Sequence, residues 1–378
     1  MSSCFSPSRR HLLTTLGLAA FPPRLASRPT TLHVIVHHQP GRFCGWPANN
    51  GVWIWGDEIL VGFVYGYFKE NDRSHAIDRD KPQASVLARS LDGGETWTLE
   101  DPDHFVLDGG APAPSPGNIR YGHPGFAMRV GNHTLIGNHD EEGLFFISYD
   151  RGKRWQGPFR FPSFDLPMTS RTDYIVEGPG SCLIMLSAKY PGVQGGNYQD
   201  RAFAVRTTDG GKTYQKLGWL AGPSLDARSV MPSTVRLRDG HYLTALRRKT
   251  STPAGLRNWI DLYGSTDGGA TWKFRSTAVD GLEHNGNPPS LVHLKDGRLA
   301  LTYGDRTPPY GIKAKLSADG GITWSPAITL RDDGRNWDLG YPRTVQRRDG
   351  KLVTLYYFTT AERPEMHIAA TIWEAPRG

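Results

Sequence analysis

Ser90-Leu91-Asp92-Gly93-Gly94-Glu95-Thr96-Trp97 is the stretch on which the reading of this chain turns. Its short hydroxyl and carboxylate can hold backbone N–H groups within one loop, and its glycines supply positive φ. The tryptophan then returns the chain to a buried strand. The pattern recurs at residues 148–155, 207–214, 265–272 and 317–324, with first residues 52 to 59 positions apart. Arg154 and Tyr214 depart from it only in the tail of the octapeptide. A fixed period of this size marks a repeat architecture with one such hairpin per unit. The recurring aspartates are therefore turn formers, each belonging to its own hairpin.

A second, weaker repeat interleaves with the first. Asp239-Gly240, Asp296-Gly297 and Asp349-Gly350 each stand between alternating strands, the strongest short hairpin signal. Degenerate versions lie at Gly56-Asp57, Gly131-Asn132 and Gly178-Pro179. Six inner hairpins and five octapeptides predict an all-β fold of six four-stranded units, a six-bladed β-propeller. The last unit, ending at His367-Ile-Ala-Ala-Thr-Ile-Trp373, lacks an octapeptide. Residues 31–36 are expected to supply its outer strand, closing the ring and removing its edges.

Composition agrees with this. Of 378 residues, 44 are Gly and 28 Pro, which suits short strands and tight turns; 38% hydrophobic content is enough for a large core. Ser8-Arg9-Arg10-His11-Leu12-Leu13 leads into a modest apolar run, and Leu25-Ala26-Ser27 offers a small-residue cleavage point. Residues 1–26 are thus expected to be a twin-arginine export signal, leaving 27–378 as a single domain in the periplasm or outside the cell. The run is shorter than the ~20 residues of a spanning helix, so no membrane span is expected. Loss of Arg9, Arg10 and Arg24 lowers the net charge from +7 to +4, with no basic run left to bind nucleic acid. Cys44 and Cys182 make no disulfide framework. No glycine-rich loop joins a strand to a helix, so no nucleotide or flavin cofactor is expected. Asn138-His139-Asp140-Glu141-Glu142 reads as a solvated hairpin rather than a metal site.

The octapeptide is the Asp box, and the mature chain resembles the sialidase (neuraminidase) superfamily. That resemblance implies an exo-acting glycosidase on a terminal sialic acid or related acidic sugar of a glycan or glycoconjugate; a closed propeller needs no partner to fold, so a monomer is expected. Such a substrate carries a carboxylate, which arginine forks suit. A tyrosine serves there as nucleophile, an exception to the two-carboxylate rule, and a carboxylic acid protonates the leaving oxygen. Asp78, twelve residues before Ser90, resembles the acid/base aspartate, with Asp80 and Asp72 as competitors. Tyr341, in Gly340-Tyr341-Pro342-Arg343, resembles the nucleophile. Arg42, Arg247 and Arg306 stand where the family carries its carboxylate-binding arginines, with Arg248 and Lys313 as substitutes for the last two. Asn50, His123 and Arg171 open inner strands and are further expected to face the substrate.

Two departures bear on the chemistry. The family's Arg-Ile-Pro is absent around Arg42, and its Glu-Pro pair, whose glutamate activates the tyrosine, is replaced by Met231-Pro232. A tyrosine at its reference pKa of ~10 is a weak nucleophile at neutral pH, and Glu283 is the one nearby carboxylate to consider. The missing glutamate keeps two other readings open. One is a propeller of different carbohydrate chemistry, a lyase or a hydrolase using His123 and a tyrosine; the other is a glycan-binding propeller without catalysis.

Overall fold

The computed structural model describes residues 1, 30–100, 111–132, 142–189, 200–222, 227–253 and 255–377. The expected export segment, its first residue apart, and residues 138–141 of the polar hairpin lie outside the described residues. Among those described, no helix is long and apolar enough to cross a membrane.

The chain forms antiparallel meanders in sequence order. The first combines Arg42–Gly45 and Val52–Trp55 with Glu58–Tyr67, Ala84–Ser90 and Thr98–Glu100. The second runs Ala127–Asn132, Gly143–Ser148 and Gln156–Arg160, with Ala113–Pro114 added in parallel at its edge. Next come Tyr174–Gly178, Ser181–Lys189, Asp200–Thr207 and Gln215–Trp219, then Arg228–Arg236, Tyr242–Thr252, Gly255–Ser265 and Lys273–Val279. These two meanders join as one sheet through a parallel bridge between Arg201 and Ser229. A further meander holds Ser290–His293, Leu299–Asp305, Tyr310–Ser317 and Ile328–Gly334. In the last, Gly340–Gln346, Leu352–Phe358 and His367–Trp373 are completed by Thr31–His37, paired antiparallel so that Thr31 faces Trp373. The amino-terminal strand expected at residues 31–36 therefore supplies the outer strand that the last unit lacks.

The octapeptides explain how each outer hairpin is made. Ser90 Oγ accepts from the Gly94 N–H at 2.8 Å, and Asp92 Oδ1 accepts from the Thr96 N–H at 2.9 Å. The Thr96 hydroxyl donates to Asp92 Oδ2 at 2.5 Å, and Trp97 Nε1 donates to the Gly94 carbonyl at 2.9 Å. Arg154 replaces the threonine in the second copy by donating Nε–H to Asp150 Oδ2 at 2.9 Å. The accumulated donors outweigh partial desolvation and hold the carboxyls of Asp92 and Asp267 at about 2.

Those turns also join neighbouring meanders. A Cβ on Gly152 would lie 2.4 Å from Leu60 Cδ2, and one on Gly321 would lie 2.1 Å from Leu262 Cδ2. Only hydrogen fits where the turn lies against the preceding unit. Gly94, in the first unit, is likewise 3.1 Å (as a Cβ) from Val353 in the last. Apolar side chains fill the gaps between sheets: Val61, Phe63, Val353, Leu355 and Ile368 share one buried cluster that spans the first and last units.

Inner strands begin with an irregularity that positions the site. Trp46, Met231 and Tyr341 adopt left-handed backbone at φ 60, 54 and 50. At Met231 and Tyr341 the register slips against the next strand. A left-handed non-glycine residue costs roughly 1–2 kcal/mol, so surrounding contacts must hold each in place. All three side chains turn toward a common cavity.

Candidate active site

The cavity has a volume of about 430 Å³. Strand alternation places Arg247 and Lys249, two residues apart in Tyr242–Thr252, on one face toward it. Arg248, between them, faces away, donating to Tyr263 Oη at 3.1 Å. Arg228 comes from the adjacent strand of the same unit, Arg171 and Arg306 from neighbouring units, and Arg73 and Arg79 from the loop after Glu58–Tyr67. Seven arginine and lysine side chains thus line it against a single carboxylate, Asp200. That carboxylate is paired with Arg228 at 2.8 Å.

Tyr341 is the buried centre of this field. Its backbone is fixed by Asn287, whose Oδ1 accepts from the Tyr341 N–H at 2.8 Å while its Nδ2 donates to the Leu339 carbonyl at 2.9 Å. The Arg247 Nη1 donates to Tyr341 Oη at 3.2 Å, and the Arg306 guanidinium lies 5.8 Å from the phenol ring centre. Burial alone would push the phenol pKa up, but the Arg247 and Arg306 charges and the Arg247 hydrogen bond outweigh it and hold it below the usual tyrosine value. The arginines are themselves held. Arg247 is fixed by the Asn285 carbonyl. Arg306 is held by the carbonyls of His284 and Leu339 and by Tyr357 Oη. Arg171 donates to Asn49 Oδ1 and to the Thr169 and Ser170 carbonyls; burial lowers its pKa to about 10.

The structure thus brings together Tyr341, Arg247, Arg306 and Arg171 and leaves the other expected residues apart. Asp78 does not line the cavity. Its carboxylate stands 3.6 Å from both Lys69 Nζ and Lys81 Nζ, and despite some desolvation the Asp80 N–H and these two cations hold its pKa below the ordinary value. Arg42 is sandwiched between the rings of Tyr65 and Tyr67, 4.1 and 4.0 Å from their centres. Asn50 is buried behind the cavity wall, accepting from Arg129 Nη2 at 3.0 Å; its neighbour Asn49 is the one that lines the cavity. His123 lies in a turn on the side of the octapeptides, where its Nδ1 accepts from Gly125 N–H and the Gly125 carbonyl accepts from Arg151 N–H. Glu283 is exposed outside the cavity, and Lys313 is paired with Asp305 at 2.5 Å.

Met231 occupies the position beside Tyr341 where the resemblance puts a glutamate. Its Sδ lies 3.8 Å from Arg247 Nη1. Sequence reasoning also missed Lys249, although its two-residue offset from Arg247 signals the same strand face. Asn287 and the His75–Asp338 pair gave no motif; they are assembled by tertiary contact across 54 and 263 residues. Among the described residues no cluster of three or more His, Cys, Asp or Glu is placed to hold a metal ion, and Cys44 and Cys182 are free and buried.

Comparison with known proteins agrees with the architecture. The BNR repeat-like domain family matches residues 137–354. A sialidase of Bacteroides fragilis (strain YCH46) is 24% identical over 295 residues, 66% of this chain and 50% of that protein. The chain thus spans about half the length of that relative. A protein of unknown function from Dyadobacter fermentans superposes with a TM-score of 0.67 at 22% identity, covering 91% of this chain and 98% of that one. The α-L-arabinanase of Penicillium chrysogenum, solved with arabinobiose, gives 0.60 at 15% identity, covering 90% and 98%. The fold is that of β-propeller glycoside hydrolases. The chain belongs to the BNR repeat-like family of the sialidase superfamily.

Proposed function

We propose that the protein is an exported, monomeric, six-bladed propeller whose cavity is the active site of an exo-acting glycosidase for a terminal acidic sugar, sialic acid first among them. Closure of the ring is supported by the pairing of Thr31–His37 with His367–Trp373 and by the apolar cluster shared between the first and last units. The observation that carries the function is a buried tyrosine hydroxyl, lowered in pKa by arginine charges, at the wall of a cavity with seven cations and one paired carboxylate.

Arg171, Arg247 and Arg306 would hold the sugar carboxylate, and that carboxylate repels a phenol nucleophile less than it would repel a second carboxylate. Tyr341 attacks the anomeric carbon, and the bond to the leaving oxygen breaks as that oxygen takes a proton. Water then displaces the tyrosine, giving net retention. No carboxylate base touches Tyr341 among the described residues, so its activation is electrostatic: the arginines favour the phenolate, which a glutamate would otherwise favour by taking its proton. The loop that contains Asp78, residues 71–81, supplies the proton.

Release of 4-methylumbelliferone from its sialic-acid conjugate tests this directly. Turnover that vanishes in Tyr341→Phe is the expected result. A folded wild-type protein that binds sialic acid without turnover supports a glycan-binding propeller instead.

A further inference from the structure

We infer that His75, held by Asp338, is the group that hands the proton to the departing oxygen, an assignment that rests on the glycosidase reading above. His75 Nδ1 lies 2.5 Å from Asp338 Oδ1, and His75 itself lines the cavity. With Nδ1 engaged, Nε2 is the nitrogen left for substrate. The imidazole meets Trp46 edge-on at 5.1 Å and stands 6.2 Å, centre to centre, from the ring of Tyr341. Proton donor and nucleophile therefore line the same cavity.

Asp338 is a built partner and not a chance neighbour. Its side chain is 2% exposed and accepts from the Ala76 N–H at 2.9 Å and from Tyr357 Oη at 2.6 Å besides His75. Burial would raise its pKa, but those bonds and the charges of His75 and Arg306 keep it low. The groups facing His75 are then Asp338, Tyr357 (3.4 Å from Nδ1) and Tyr341, with Trp46 and Trp337 against the ring. The competing carboxylates have other work: Asp200 is paired with Arg228, and Asp78 sits between Lys69 and Lys81 outside the cavity.

The step balances without further reagents. Imidazolium Nε2–H passes its proton to the glycosidic oxygen as that oxygen leaves carbon and the Tyr341 oxygen bonds to it. In the second half, neutral Nε2 takes a proton from the attacking water, the sugar–tyrosine bond breaks, and the imidazolium and phenolate are restored. Asp338 is a positioning residue that fixes the ring and balances its charge.

Leaving-group dependence distinguishes this role from a structural one. General-acid help is worth roughly 10²–10⁴-fold for a poor leaving group and far less for a phenol that leaves unaided. His75→Gln is expected to cut turnover of 3′-sialyllactose about 100-fold or more, and of 4-methylumbelliferyl sialoside less than about 10-fold. Asp338→Asn is expected to follow the same order with smaller losses. Equal losses on the two substrates, or none, overturn the assignment. Should wild type cleave neither, the sialoside reading has failed while His75 is still testable by ¹⁵N spectra of its ring. A neutral ring that carries its proton on Nδ1, and loses that preference in Asp338→Asn, supports the arrangement; a neutral ring with its proton on Nε2 overturns it.

Discussion

The Arg247 guanidinium donates to Tyr341 Oη at 3.2 Å from beside Met231, on the side where a glutamate would otherwise reach the same hydroxyl. A cation in place of a base changes what the pH profile reports. Removing Arg247 takes away both a charge and a hydrogen bond that favour the phenolate, so the pKa of Tyr341 rises. Arg247→Met is expected to move the rising limb of kcat against pH to higher pH and to lower turnover at pH 7 by about tenfold or more, a unit of pKa being ~1.4 kcal/mol. An unchanged limb would show that Arg247 acts only on substrate.

Restoring the carboxylate is the complementary change. Met231→Glu places an acid within reach of Arg247, and the expected outcome is an ion pair that weakens the hold of Arg247 on Tyr341. Affinity for sialic acid, measured by calorimetry, is expected to fall, since the cavity gains a negative charge.

Lys249 offers a second titration. Burial first, then the charges of Arg247 and Arg228, lowers its amine to about 8. Below that pH it is cationic and favours an anionic ligand; above it the charge is gone. Dissociation constants for sialic acid are expected to rise as pH passes through about 8, and Lys249→Met is expected to remove that step. For folding the sign is different: the unfolded lysine, near 10.4, binds more protons between the two values, so stability rises with pH across that window.

Gly340 tests how the nucleophile is held. Its φ is +104, and an added Cβ would come 2.4 Å from Asn287 Nδ2, the side chain that fixes the Tyr341 backbone. Gly340→Ala is expected to destabilise by about 1–3 kcal/mol, read as a lowered urea midpoint. Activity of the folded fraction is expected to fall further than stability does, because Tyr341 moves with Asn287.

The octapeptide carboxyls set acid tolerance. Asp92 and Asp267 are held at about 2 in the folded chain, against ~3.9 when unfolded. Their contribution is present above about pH 4 and is lost as pH falls through about 2. Asp92→Asn is expected to flatten the acid limb of an unfolding profile measured by circular dichroism. A limb as steep as in wild type would mean that other carboxyls govern it.

Architecture was legible because it repeats. The octapeptide states its own hydrogen bonds, and the Asp-Gly turns divide the strands between them, so sheet order and even the role of residues 31–36 follow from local chemistry. The cavity does not repeat. Tyr341, Arg247 and Arg306 were found through resemblance, and Arg171 through its place before an inner strand. Asp78 and His75 share one polar loop, and nothing in the order of residues says which of them turns inward; packing of that loop on Asp338, 263 positions from His75, decides it. Arg42 and Arg171 show the same limit, since an arginine before a strand can stack on tyrosines or face a cavity with equal ease.

Pairing of Thr31–His37 with His367–Trp373 joins strands separated by more than 300 residues. Contacts that distant carry the greatest loop-closure entropy and form late. Until the far end of the chain has been synthesised, the strand at residues 31–37 has no partner, and the last sheet keeps an open edge. That pairing is therefore expected to be the slow step in assembly and the first place to open, which amide hydrogen exchange along residues 31–37 and 367–373 would check. A disulfide across it would raise kinetic resistance to unfolding without touching the cavity.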